Sequence, residues 1–140
     1  MKDTLKPGIQ YKCKFTVTDN QTVPAMYPQS GEAMVRPEVF ATGFLVGYLE
    51  LACVRAIIPH LDWPEEQAVG TFISITHEAA TPVGMEVIAN VELIGVEGRK
   101  LIFQVEARDE VDVISRGRHK RVIVNKKQFE GRARSKLVHT

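Results

Sequence analysis

Cysteine is scarce in this 140-residue chain, which has only Cys13 and Cys53 and no CxxC pair. That excludes a disulfide framework and agrees with a reducing, cytoplasmic setting. No apolar run reaches the roughly 20 residues of a membrane-spanning helix before Glu, Arg, Lys or Pro interrupts it. The opening Met-Lys-Asp-Thr-Leu-Lys-Pro-Gly has no apolar segment behind its lysines, so no secretory signal and no membrane association are expected. His60, His119 and His139 have no metal-ligand spacing with each other or with cysteine, and no metal is expected. The phosphate-cradling GxGxxG and GxxxxGK[ST] patterns are absent, as is the GxSxG turn of the α/β serine hydrolases. Aromatic residues make up 7% of the chain. None interleaves the basic strand Ser115–Arg121, which disfavours nucleic-acid binding by base stacking.

What is present is an uneven charge. The net value is +1, yet residues 1–115 hold nine Lys and Arg against sixteen Asp and Glu. Residues 116–140 hold nine Lys and Arg against Glu130 alone. A solvated basic edge and tail over 126–140 accounts for this. An anion site accounts for it equally, if the rest of the chain supplies an anion.

The length suits a single domain over residues 1–140. Residues 8–18 alternate, with Ile9, Tyr11, Cys13, Phe15 and Val17 on one face, and predict a half-buried strand. Residues 19–37, punctuated by Pro24, Pro28, Gly31 and Pro37, read as a lid or loop. From Glu38 to Leu61 the chain is apolar nearly throughout and predicts a long buried helix, with Thr42 as its N-cap. Four strands follow, near 68–79, 85–96, 99–109 and 112–125, and their short turns predict an antiparallel meander. The expected class is α+β, with an antiparallel sheet of about five strands curled around one central helix.

Three residues stand out chemically. Glu50 is the one charged residue between Val39 and Val54, and its carboxylate must find a replacement for lost hydration. It is either a site acid or a structural partner of Arg55 or Arg121. Thr42, with Gly43 beside it, is either a plain N-cap or part of a helix terminus whose free N–H groups face a carbonyl oxygen or phosphate. Eight residues separate Thr42 from Glu50, about 12 Å along a helix, so direct contact between them is not expected. Strand alternation places His77 on the face of Val69, Thr71, Ile73 and Ile75, as a core histidine or a proton-transfer group.

The block Pro37–Ala56, with Gly70-Thr71, Thr76-His77, Ala79-Ala80-Thr81-Pro82, Val96-Glu97-Gly98-Arg99 and His119-Lys120-Arg121, resembles the fluoroacetyl-CoA thioesterases of the hot-dog superfamily. The resemblance runs in register over nearly the whole chain. It implies the hot-dog fold, a homodimer joined sheet edge to sheet edge, and hydrolysis of a small or short-chain acyl-CoA with no cofactor beyond the coenzyme A of the substrate. It also implies that Thr42, Glu50 and His77 match the family's catalytic threonine, glutamate and histidine. By the same resemblance Gly70 matches a glycine whose backbone binds the thioester oxygen, and Arg121 an arginine near the site. In the fluoroacetyl-specific enzymes phenylalanines are expected in the lid, whereas residues 31–36 here contain none. That points to an acyl group other than fluoroacetyl. Coenzyme A supplies the missing anion, so Arg116, Arg118, Lys120, Lys126 and Lys127 become candidates for its phosphates. A hot-dog enoyl-CoA hydratase or dehydratase and a non-catalytic acyl-CoA-binding module are the competing readings.

Overall fold

The computed structural model describes residues 1–138. Strand β1 (Gln10–Thr16) leads through a 3-10 turn into two short helices, α1 (Val23–Met26) and α2 (Gly31–Met34). The segment read as a loop therefore contains three helical turns. The long helix α3 (Thr42–Ile57) follows, extended by a 3-10 turn to His60. Then come β2 (Glu66–Ile75), β3 (Glu86–Glu97), β4 (Lys100–Arg108) and β5 (Val113–Asn125). The segment read as a basic tail starts instead with a helix, α4 (Lys126–Arg134), whose cap is Asn125, its side chain accepting from the Gln128 N–H.

All five strands form one antiparallel sheet in the order β1-β3-β4-β5-β2. The expected meander holds only for β3, β4 and β5. Strand β2 pairs with β5, not with β3. The chain between β2 and β3 is a crossing segment, not a hairpin. It is held where the Phe40 N–H donates to the Thr81 carbonyl (2.9 Å) and the Gly84 N–H to the Val17 carbonyl (2.8 Å). That crossing carries residues 76–85 past the entrance of α3.

Helix α3 lies on the inner face of the sheet. Leu45, Leu49, Ala52, Cys53, Ala56 and Ile57 are buried against the alternating Val87, Ala89, Val91 and Leu93 of β3 and Leu101, Phe103, Val105 and Ala107 of β4. Each large apolar side chain removed from water there contributes about 2 kcal/mol. Within the 19-residue segment Thr42–His60 an 18-residue stretch has a mean hydropathy of 1.4, enough by length and composition to cross a bilayer. Its packing against the sheet accounts for that apolarity. The helix is not wrapped on all sides, for Gly43, Gly47 and Leu51 are exposed and Val46, Glu50 and Val54 half-buried. This open stripe adjoins β2, an edge strand.

Candidate active site

The entrance of α3 has an unusual cap. Ala41, not Thr42, is the N-cap, with extended backbone at φ −78° and ψ 142°, and no side chain caps the helix. Thr42 is the first helical residue. Its hydroxyl is engaged elsewhere, with Oγ1 2.7 Å from His77 Nδ1. Lying two residues beyond the end of β2, His77 is brought there by the crossing segment. Its Nε2 is buried with no hydrogen-bond partner among the described residues. Burial holds its pKa below the ordinary histidine value.

The segment around His77 is anchored to β5. Thr76 N–H donates to the Arg116 carbonyl (3.0 Å), and Glu78 N–H to the Ile114 carbonyl (2.7 Å). Arg116 Nε donates to Glu78 Oε2 (2.9 Å). The strands approach closely here because residue 117 is glycine; a Cβ at Gly117 would collide with the Ser74 carbonyl. The alternation expected for β2 is broken by a bulge between Gly70 and Phe72. Val69 pairs with outward Val122, whereas Ile73 pairs with buried His119. His77 therefore shares a face with Ile73 and Ile75 but not with Val69.

Two turns along α3, Glu50 forms a second cluster. Arg121 Nη1 donates to Glu50 Oε2 (3.2 Å), and Arg121 Nη2 to the Ala68 carbonyl (2.6 Å). Arg121 is buried, while the Glu50 side chain is 39% exposed. Of the two structural partners weighed for Glu50, Arg121 is the one in contact. Gly70 lies against this cluster: a Cβ on it would stand 2.8 Å from Glu50 Oε2 and 3.2 Å from His119 Cε1. Gly43 is crowded likewise, since a Cβ there would meet Met26 Cε at 2.5 Å. The lid is thus seated directly on the start of α3.

The structure brings Thr42 to His77, and Glu50 to Gly70 and Arg121. It does not bring Arg118 or Lys120 to either cluster. Strand alternation puts both on the exposed face of β5, opposite His119, Arg121 and Ile123. Lys120 Nζ lies 5.0 Å over the Phe72 ring. Arg116 is engaged with Glu78, and Lys126 faces Glu130 at 3.6 Å.

His119 is the group missed as a site residue in the sequence. Its signal was its place two residues before Arg121, on the inward face of an alternating strand. Among the described residues no group of three His, Cys, Asp or Glu is placed to hold a metal ion. His139, weighed above as a ligand, lies outside those residues.

Comparison with known proteins bears on the chemistry. Residues 17–127 match the family described as fluoroacetyl-CoA-specific thioesterase. The chain is 46% identical over 136 residues to the fluoroacetyl-CoA thioesterase of Streptantibioticus cattleyicolor, covering 97% of both proteins. A solved phenylalanine-to-alanine mutant of the fluoroacetyl-CoA-specific thioesterase, in complex with fluoroacetate and CoA, superposes with a TM-score of 0.86. It is 46% identical, over 89% of this chain and 99% of that one. A hot-dog-like protein from Thermanaerovibrio acidaminovorans shares the fold, with a TM-score of 0.78 at 19% identity over 93% and 91% of the two chains.

Proposed function

The chain belongs to the fluoroacetyl-CoA-specific thioesterase family, and from that premise we propose that it hydrolyses a short-chain acyl-CoA at the Thr42–His77 and Glu50 clusters. The observation that carries the assignment of the site is the 2.7 Å contact between Thr42 Oγ1 and His77 Nδ1 at an uncapped helix start. A threonine there would ordinarily cap the helix or face solvent. Here it is paired with a histidine whose pKa burial lowers, so that unprotonated Nδ1 accepts from the hydroxyl.

The reaction breaks the thioester C–S bond and forms a C–O bond to water. In this reading Glu50, held by Arg121, takes a proton from the attacking water. Backbone N–H groups at Gly43 and Gly70 draw charge from the carbonyl oxygen, each such donor being worth about 3 kcal/mol in the transition state. Glu50 then returns that proton to the departing sulfur, which leaves as the thiol, while unprotonated His77 Nδ1 accepts from the Thr42 hydroxyl and holds it against the reacting group. Substrate spans the two clusters, which the helix separates by about 12 Å between α-carbons.

Homodimer formation through β2 completes the reading. Among the described residues this edge strand has no partner beyond it, Phe72 on it is 48% exposed, and Gly70 at the site lies within it. An open edge of this kind invites pairing with a second copy. Both cysteines are free, which suits a cytoplasmic setting. For the phosphates of coenzyme A, Arg118 and Lys120 on the outer face of β5 and Lys127 on α4 are the candidates. Arg116 is removed from that group by its pairing with Glu78.

Thiol release across acyl-CoA substrates, with fluoroacetyl- and acetyl-CoA side by side, tests the proposal. The lid carries Ala33, Met34 and Val35 where phenylalanines are expected of a fluoroacetyl-specific enzyme. The expected outcome is therefore turnover of short acyl groups without a marked fluoroacetyl preference. Binding without thiol release refutes the thioesterase. Hydration of an enoyl-CoA without thiol release identifies the hydratase instead.

A further inference from the structure

His119 does not touch the reacting atoms in the proposed chemistry, yet its environment is fully specified. It is 1% exposed, on the inward face of β5. Its Nδ1 lies 2.8 Å from the Phe72 carbonyl oxygen, and its Nε2 lies 3.1 Å from Arg121 Nη1. A carbonyl only accepts, so Nδ1 carries the proton and donates. A guanidinium only donates, so Nε2 is unprotonated and accepts. Both contacts are satisfied by one species, the neutral Nδ1–H tautomer. A protonated ring would set an N–H against an N–H at Arg121.

The same Arg121 Nη1 donates to Glu50 Oε2 at 3.2 Å, while Nη2 is fixed on the Ala68 carbonyl. The two hydrogens of Nη1 are thereby divided between His119 and Glu50. We propose that His119, as a neutral acceptor, is a positioning residue: it fixes the rotation of the Arg121 guanidinium, and through it the Glu50 carboxylate over Gly70. The inference rests on the assignment of Glu50 to thioester hydrolysis. It adds a requirement that this assignment does not contain, namely an acceptor at the Nε2 position of residue 119. The bulge in β2 makes the contact reachable, because it turns the Phe72 carbonyl onto the ring while Gly70 leaves room for the carboxylate.

Two conservative substitutions separate positioning from packing. The terminal amide of glutamine reaches the place of histidine Nε2, and that of asparagine the place of Nδ1. His119→Gln keeps an acceptor for Arg121 and gives up the bond to Phe72. His119→Asn keeps the strand bond and gives up the acceptor. The expected result is a kcat for His119→Gln within a few-fold of the unsubstituted protein. For His119→Asn it is a loss of about 10- to 100-fold in kcat, the range seen when a partner that orients a functional group is removed, with KM little changed. Equal losses in the two variants, or the greater loss in His119→Gln, would show that His119 serves only the strand and overturn the proposal. Nitrogen-15 NMR of the unsubstituted protein is a second measurement, independent of how the variants fold. It should show Nδ1 protonated and Nε2 bare; an Nε2–H or doubly protonated ring overturns the proposal. Failure of the unsubstituted protein to release thiol from any acyl-CoA would count against the proposed function, whereas the tautomer stands or falls without it.

Discussion

Gly70→Ala isolates the geometry of Glu50 from the stability of the fold. Gly70 is not one of the glycines with positive φ, so alanine adopts its backbone without strain. The added methyl would stand 2.8 Å from Glu50 Oε2, and reaching an ordinary 3.4 Å contact moves that oxygen by about 0.6 Å. If the displacement falls along the ion pair, the 3.2 Å separation from Arg121 Nη1 grows to about 3.8 Å, beyond hydrogen-bond range. His119 Cε1, at 3.2 Å, has to yield by a further few tenths of an ångström in close packing. The loss of one charged hydrogen bond, moderated by the exposure of Glu50, costs about 1 kcal/mol. The reduced freedom of alanine in the unfolded chain returns about 0.4 to 1 kcal/mol. Stability should therefore stay within about 1 kcal/mol of the parent. Activity should not, since a catalytic group displaced by a fraction of an ångström to one ångström loses on the order of 10- to 100-fold. The assay is thiol release, compared with a thermal melt of the same sample. A folded Gly70→Ala variant with the parent rate would refute the view that Glu50 acts from its place over this glycine.

The remaining predictions concern the histidine pair and its anchor. Activity should fall on the acid side with a midpoint below 6.5, the ordinary histidine value, because burial lowers the pKa of His77 and protonation turns Nδ1 into a donor toward Thr42. For stability the unfolded chain binds more protons in that window, so the contribution of neutral His77 is complete above 6.5 and lost as pH falls through the lowered value. A pH–rate profile with its acid midpoint at or above 6.5 contradicts this. Arg116→Ala should lower kcat several-fold, with little effect on KM or melting temperature, because it loosens the clamp on Thr76 and Glu78 that flank His77. A rise in KM for acyl-CoA at constant kcat would instead make Arg116 a phosphate ligand. Neutralising Arg118, Lys120 and Lys127 together should raise KM and flatten its dependence on salt, with kcat preserved; an unchanged salt dependence removes those cations from substrate binding.

The central helix and the strands were legible because their patterns are local. Alternation in β3 and β4 and the apolar length of α3 follow from which side chains meet water. The order of the strands was not, because it depends on residues 76–85, whose Thr81-Pro82-Val83-Gly84 also fits a hairpin. What decides against the hairpin is distant in sequence: Phe40 and Val17 bond to that segment and draw it across the entrance of α3. The bulge at Gly70 was hidden in the same way, since an extra residue in β2 is visible only in its pairing with β5. Asn125 was a local signal that went unread, a helix cap standing before Lys126 where a tail was expected.

The site divides along the same line. Glu50 announced itself as a lone acid in an apolar helix, and Thr42 as a polar residue at its start. Their partners are set by topology, and without the crossing segment His77 could not reach Thr42. The resemblance, not strand parity, set Arg121 apart in the sequence, and the structure accounts for it by parity, with Arg121 inward and Arg116, Arg118 and Lys120 outward. The same parity places His119 with Arg121 and with buried Ser115 on the inner face of the strand. A buried guanidinium requires acceptors on several sides, and only one was evident in advance, the Glu50 carboxylate; the Ala68 carbonyl is a second. The histidine provides a third without adding charge. Arg121 Nη1 thereby gives one hydrogen to the histidine and directs the other to Glu50.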